Sequence, residues 1–272
     1  MAPIEPMTQA PARAPFNSSR LTRFLTENAM LNAAQTQQDV GQQLGDWLNF
    51  RQAIALHGVL HPEQATPHDT PAQVRRAATM SAQALRRHAE KVRAQLEQSI
   101  QQGAPTGSGL ARIDMPPPTL DEPLEPKTAY EPYRRFHAAH QRQMETSLHS
   151  LRSQVRGQLG KCPGPLQQLA TLDAAFENIL GEREAMLLGK VAKLLEKGFA
   201  QAVKQHIKQQ AEAHALVTTE AAHAASTAVN PGSWLMAFRQ TLRTALLAEL
   251  DTRLQPTLAL LEAFESQTPQ EQ

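Results

Sequence analysis

An all-α fold, drawn out as an elongated antiparallel bundle of long, kinked helices, is what this sequence predicts, on three observations. Apolar residues make up 41% of the 272 positions but aromatic ones only 4%. Ala, Leu and Gln dominate while Val, Ile and Tyr are scarce, and strands draw on just those β-branched and aromatic side chains. Apolar residues also recur in steps of three and four over stretches much longer than a strand. Finally, cap-like residues and prolines stand at the heads of these stretches, as helix starts require.

In chain order, residues 1–16 are rich in Pro and Ala and have too few large apolar groups to offset ordering entropy, so they read as a disordered tail. An N-terminal helical region then spans 17–102. Asn17-Ser18-Ser19 offers a cap ahead of Leu21, Phe24, Leu25 and Leu31. Asp39 with Gln42 forms a capping box for a second helix. Its apolar face is Val40, Leu44, Trp47, Leu48, Ile54, Val59 and Leu60, and Pro62 and Pro67 end it. Thr70-Pro71-Ala72-Gln73 opens a third helix with a capping box and proline at the first helical position. Its stripe of Val74, Ala78, Ser81, Leu85, Ala89, Val92 and Leu96 runs to Gln102, where Gly103 stops it.

Residues 103–127 carry Gly107-Ser108-Gly109, Met115-Pro116-Pro117-Pro118 and Leu124-Glu125-Pro126, and read as a proline-rich linker. Two arrangements are open to it: a free tether, or a segment lying along the bundle and burying Leu110, Ile113 and Leu120. A long-helix bundle follows over 128–266. Thr128 or Glu131 starts its first helix, whose stripe runs from Tyr133 through His137, His140, Met144, Leu148, Leu151 and Val155 to Leu159. After the Gly160–Pro165 turn, a helix from Pro165 to about Gln210 would measure roughly 70 Å, weakened and bent at Gly181, Gly189 and Gly198. Asn230-Pro231 restarts a helix whose face runs from Trp234 and Leu235 through Leu242, Leu246, Leu250 and Leu254 to Leu261. Pro256 should kink it. Residues 267–272 read as a second disordered tail. Seven steps cover the 26 residues from Tyr133 to Leu159, and again from Leu235 to Leu261. That is a period of about 3.7, above the 3.5 of a left-handed coiled coil, so long, nearly straight antiparallel rods fit best.

Charge and cysteine narrow the function classes. Lys plus Arg is 27 against 26 Asp plus Glu, a net +1, without the basic excess that draws a polyanion from a distance. The single cysteine, Cys162, permits no internal disulfide and suits a reducing compartment. No basic-then-apolar leader is readable at Met1-Ala-Pro-Ile-Glu-Pro and no run approaches the roughly 20 apolar residues of a membrane span. A cytoplasmic protein is expected.

Chemical motifs are sparse. His137 and His140, three apart, could turn two imidazoles to one metal, but both lie in the apolar stripe and read better as hydrogen-bonded, partly buried histidines beside Tyr133 and Met144. His57 and His61, near Glu63, His68 and Asp69, read as a solvated helix end. A di-iron bundle needs two Glu-x-x-His pairs, and only Glu220-Ala-Ala-His223 occurs. Cys162 has no base beside it in sequence and reads as a turn residue. Arg75, Arg76, Arg86, Arg87, Lys91 and Arg93 make the strongest basic patch, with Arg134, Arg135, Arg142, Arg152 and Arg156 on a second helix. Without interleaved aromatics, these read as solvated helix backs before they read as a grip on nucleic acid. No catalytic, cofactor or metal residue is assigned.

Phe16-Asn-Ser-Ser-Arg-Leu, Leu44-Gly-Asp-Trp-Leu-Asn-Phe, Tyr133-Arg-Arg-Phe-His-Ala-Ala-His-Gln-Arg-Gln-Met-Glu and Leu247-Ala-Glu-Leu-Asp-Thr-Arg-Leu-Gln-Pro resemble a proteobacterial family known as domain of unknown function 3348, over Phe16 to Phe264. The resemblance implies a bacterial, cytoplasmic helical protein with no assigned activity, and a partner in an envelope proton-channel-type complex. Together with the long stripes, it points to a non-catalytic interaction or scaffold protein that binds a protein partner or a second copy of itself. A nucleic-acid-binding accessory role on the basic helix faces is the alternative.

Overall fold

The computed structural model describes residues 19–28, 45–60, 80–118, 125–162, 164–217 and 233–267. Among them stand six helices of eight residues or more and no strand. These are α1 (Arg20–Glu27), α2 (Phe50–Leu60), α3 (Ala82–Gln102), α4 (Pro126–Leu159), α5 (Pro165–Val217) and α6 (Ser233–Gln267). The all-α class holds, and the packing is that of a bundle.

α6 is the hub, touching α1, α3, α4 and α5, while α4 also meets α3 and α5. Side-chain pairs fix the directions. Arg86 reaches Glu265 and Arg93 reaches Asp251, so α3 runs antiparallel to α6. Tyr133 meets Phe238 edge-on and Gln141 bonds Glu249, so α4 runs parallel to α6. α5 opposes both, with Arg152 on Asp173, Tyr130 on Phe199 and His206 on Trp234. Leu85, Leu96, Met144, Leu151, Leu195, Leu242, Leu246 and Leu261 are all at most 1% exposed in one continuous core that stretches from Leu21 to Phe264. The stripes of α4 and α6 are therefore the buried faces that their periods predict.

Aromatic residues are few but concentrated. Phe199 lies 4.9 Å from Phe238, 5.4 Å from Tyr130 and 5.7 Å from both Tyr133 and Trp234. This tilted and edge-on cluster joins α4, α5 and α6 at one end of the bundle, with the offset geometry ring quadrupoles favour.

Several boundaries differ from the sequence reading. Ser81, expected inside the third helix, is extended, and its Oγ accepts from the Ala84 amide at 3.2 Å to cap α3. A single helix from Pro71 to Gln102 is thus not formed; Thr70, Pro71, Val74 and Ala78 lie outside the described residues. Asn49 caps α2 through a reciprocal pair, Gln52 N to Asn49 Oδ1 at 2.9 Å and Asn49 N to Gln52 Oε1 at 3.0 Å. Gly45–Trp47 form a separate turn before it, while Asp39 and Leu31 lie outside the described residues. α4 begins earlier than either expected start, because Pro126 takes the first helical position after Glu125. Gly103, at φ 101°, ends α3 as expected. α5 is one helix of 53 residues running through Gly181, Gly189 and Gly198 to Val217, and α6 is one helix through Pro256 that includes Gln267. Residues 1–16 and 268–272, and the Asn230-Pro231 start, lie outside the described residues.

Of the 103–127 segment, residues 103–118 are described and lie along the bundle, and Pro126 and Lys127 already belong to α4. Leu110, Ile113 and Met115 pack on the core, Tyr133 Oη donates to Pro117 O at 3.1 Å and Gln143 Nε2 to Ala111 O at 3.2 Å. Leu120 lies outside the described residues. The N-terminal helices α1 and α3 share the core with α4, α5 and α6, on both sides of that segment.

Removing Phe199 takes out the centre of the aromatic cluster. Phe199→Ala should cost about 3–5 kcal/mol in urea unfolding, whereas Phe50→Ala, at a side chain 80% exposed, should change stability by about 0.5 kcal/mol or less.

Candidate functional site

Polar groups converge inside the bundle at one place, between α4 and α6. Glu249 is 0% exposed and lies one heptad beyond Leu242 in the buried stripe. Gln141 Nε2 donates to its two oxygens at 3.1 and 3.0 Å, and Arg253 donates Nε and Nη2 to Oε1 at 2.9 Å each. His137 and His140, both 1% exposed, sit one turn apart on the facing side of α4. His137 Nε2 stands 3.8 Å from Glu249 Oε2, too far for a hydrogen bond. Phe136 meets the His140 ring edge-on at 4.5 Å.

The two histidines are where the sequence reading placed them, in the stripe, but they are not the hydrogen-bonded, partly buried pair it expected. Both ring nitrogens of His137 and Nε2 of His140 are enclosed without a partner. The helical phase that packs Tyr133 and Met144 carries these rings inward, where no group comes within hydrogen-bond reach of those nitrogens. Burial therefore holds both imidazoles well below their ordinary value, to about 4. For His137 the adjacent His140 and Arg253 add to that. Burial also pushes the Glu249 carboxyl up, against the pull of Arg253 and Gln141. At neutral pH the imidazoles are uncharged. Among the described residues no three His, Cys, Asp or Glu side chains are grouped so as to hold a metal ion.

Arg253 also lines a half-open cleft of about 230 Å³ between α4 and α5, with Glu145, His149, Arg152, Glu177 and Glu184. Most of its charges are matched to one another. Arg152 grips Asp173 with two bonds of 2.6 and 3.0 Å, Arg156 bridges Asp173 and Glu177 at 3.1 and 2.6 Å, and His149 lies 3.2 Å from Glu177. Glu177 is held below the usual carboxylate range by those arginines, in spite of its burial. The cleft marks where polar pairs rather than apolar side chains join α5 to α4.

The basic patch divides three ways. Arg86 is held by Glu265 through two bonds and Arg93 by Glu97 and Asp251, at 2.8 and 2.7 Å. Asp251 is shared with Arg20 of α1 at 2.7 Å. Arg87 and Lys91 are exposed, and Arg75 and Arg76 lie outside the described residues. On α4, Arg134 and Arg135 both pair with Glu131. The patch is in large part a set of clamps between helices. His57 is exposed on α2, whereas His61, Glu63, His68, Asp69, Glu220 and His223 lie outside the described residues. Cys162, half-buried in the turn, directs Sγ at Gln158 O, 3.7 Å away.

Sequence reasoning missed Glu249, Gln141 and Arg253. A usable signal was present: Glu249 falls in phase with Leu242 and Leu246, and a carboxylate in phase with a leucine stripe is buried unless the stripe turns outward.

Among the described residues no helix is long and apolar enough to cross a membrane. The chain matches the family described as Protein of unknown function (DUF3348) over residues 7–266, and it belongs to that family. No curated protein and no solved structure matches it.

The buried pair makes stability depend on pH with a definite sign. Each imidazole binds its proton more weakly folded than unfolded, so its contribution is complete above about pH 6.5 and falls as pH drops towards about 4, by on the order of 3 kcal/mol per ring. Urea unfolding at pH 7, 6, 5 and 4 should show this loss, and His137→Leu/His140→Leu should flatten it. Glu249 acts in the opposite sense, since its raised pKa favours the fold most in acid. Glu249→Gln should therefore steepen the fall on acidification.

Proposed function

We propose that this DUF3348 family member is a non-catalytic interaction protein that presents the outer side of α2, together with Met186 and Leu187 on the α5 surface, to a protein partner. One observation carries the reading. α2 is apolar on every side, with Phe50, Ala53, Ile54, Leu56, Val59 and Leu60 in eleven residues, yet none of its residues is buried. Phe50 is 80%, Ile54 56% and Leu60 47% exposed.

A helix apolar all round is ordinarily enclosed. α2 lies against α5 on one side, anchored nearby by Arg183 over the Trp47 ring at 4.9 Å. Its other side meets water, as do Met186 at 55% and Leu187 at 41%. Clustered apolar surface of this kind marks an interaction site. Large aromatic and aliphatic side chains such as Phe50 are the anchors around which such interfaces concentrate their energy. The His137–His140–Glu249 group supports the non-catalytic part of the reading, since it is enclosed by core side chains rather than aligned along a substrate path. The partner implied by the family resemblance, a component of an envelope proton-channel-type complex in a bacterial cell, is the first to test. A second copy of the chain is the other.

The test is affinity capture from the native cell, membrane fraction included, with wild type and Phe50→Glu/Ile54→Glu as baits. Both changes sit on exposed positions, so circular dichroism and the unfolding midpoint should match wild type. The wild type should recover a defined partner that the variant retains at least tenfold less, and sedimentation should report whether self-association is lost as well. Equal recovery by both baits would remove the reading.

A further inference from the structure

Half-buried arginines in this molecule keep company. Arg86, Arg93, Arg152, Arg156 and Arg253 each lie on a carboxylate, and Arg183 lies on the Trp47 ring. Two depart from this pattern. Arg239 and Arg243, also half-buried, stand one turn apart on the same face of α6. No carboxylate among the described residues comes within 4.0 Å of either. Both Nε atoms are shut off from solvent and unpartnered, and among the described residues the only side-chain hydrogen bond of either guanidinium is Arg239 Nη1 on Met236 Sδ at 3.3 Å.

Two like charges set side by side, partly removed from water and without counter-ions, repel each other and lose hydration together. The pair acts on its surroundings accordingly. Arg243 holds its proton less tightly than an ordinary arginine because of burial and of Arg239. The Arg239 charge also reaches the Tyr133 hydroxyl, which is bonded to Pro117 O. The pair thus lies on the side of α6 near the end of the extended 103–118 segment.

From this we infer that Arg239 and Arg243 form a binding site for a phosphate-type dianion, either free phosphate or the terminal group of a phosphate monoester. Two guanidiniums a turn apart present planar donor forks suited to oxyanion oxygens. A group of charge about −2 neutralises both at once, which a single carboxylate or a backbone phosphodiester does not. The site is independent of the α2 surface, so either assignment can stand without the other.

The experiment uses the full chain and inorganic phosphate as probe. Thermal unfolding of wild type, Arg243→Gln and Arg239→Gln/Arg243→Gln is followed from 0 to 20 mM phosphate, about, at ionic strength held constant with KCl. The wild type should show a saturating rise in midpoint, equivalent to a hundredfold excess of phosphate over Kd giving about 2.7 kcal/mol; the single variant should respond several-fold less and the double variant not at all. In phosphate-free buffer, where the like charges are unrelieved, Arg243→Gln should melt no lower than wild type. A glycerol phosphate should reproduce the response in solution. Phosphatidic acid vesicles should bind wild type over the double variant only where a lipid monoester is the natural source. Equal rises in all three proteins, or none in wild type, would overturn the assignment. So would a phosphate-blind wild type destabilised by Asp121→Asn/Glu122→Gln, because the chain's own carboxylates would then be the counter-ions.

Discussion

A leucine stripe along one side of a 34-residue rod can leave water only by meeting other stripes along its whole length. α4 and α6 each carry such a stripe, and neither could be covered by a helix as short as α1. Length therefore dictates architecture. α6 sits at the centre because its apolar face, from Leu235 to Phe264, is wide enough to take α1, α3, α4 and α5 together. Ala245 and Ala248, both 0% exposed, keep part of that face narrow. At about 1.5–3 kcal/mol per enclosed side chain, such a core holds only as a set. No helix here has an independent reason to be folded.

Apolar stripes fix who packs with whom but leave the axial register loose, since one leucine resembles the next a turn away. Charged pairs supply the missing specificity. Arg86 with Glu265 and Arg93 with Asp251 set α3 against α6 at two levels, and Arg20 on the same Asp251 brings in α1. Arg152 and Arg156 against Asp173 and Glu177 do the same for α4 and α5, over a stretch in which α5 buries nothing apolar between residues 171 and 187. Sliding either helix by one turn would strand half-buried charges, which costs far more than the pairs contribute in place. The Glu249 group belongs to this logic too, being held by Gln141 from α4 and by Arg253 one turn along its own helix.

How much of this could be read from the residues depended on whether the cause was local. Periodicity is local, so the stripes of α4 and α6, the Gly103 stop and the Pro165 start were legible. Caps were legible in kind but not always in place. Ser81 looked like one more small residue in a stripe because its neighbours at 78 and 85 keep the helical step, yet its hydroxyl ends the helix by taking the Ala84 amide. Pro256 and the three glycines of α5 were expected to bend their rods. Intrinsic penalties of about 1 kcal/mol for glycine and about 3 for proline weaken the rods at these points without ending them, and each is one continuous helix. The role of residues 103–118 was undecidable from composition, because a proline-rich segment is equally fit to hang free or to lie extended in a groove. What settles it is the pair of donors, Tyr133 and Gln143, waiting on α4.

The arginines were the least legible of all, for a reason that applies to any helical protein. Along one helix Arg86, Arg87, Lys91 and Arg93 form a basic run answered locally only by Glu90 and Glu97, and further charges that answer two of them lie well over a hundred residues away on α6. A one-dimensional reading therefore overstates free positive charge wherever carboxylates arrive from another rod. The same reading understates it at Arg239 and Arg243, two ordinary-looking residues among leucines, because it cannot see that no acidic group among the described residues pairs with them. Net charge is blind to both errors, since a chain of nearly balanced sign can still pair almost every buried cation and leave one couple unanswered. In a bundle held in register by ion pairs, the informative cation is not the one in the longest basic run but the one that burial has separated from its counter-charge.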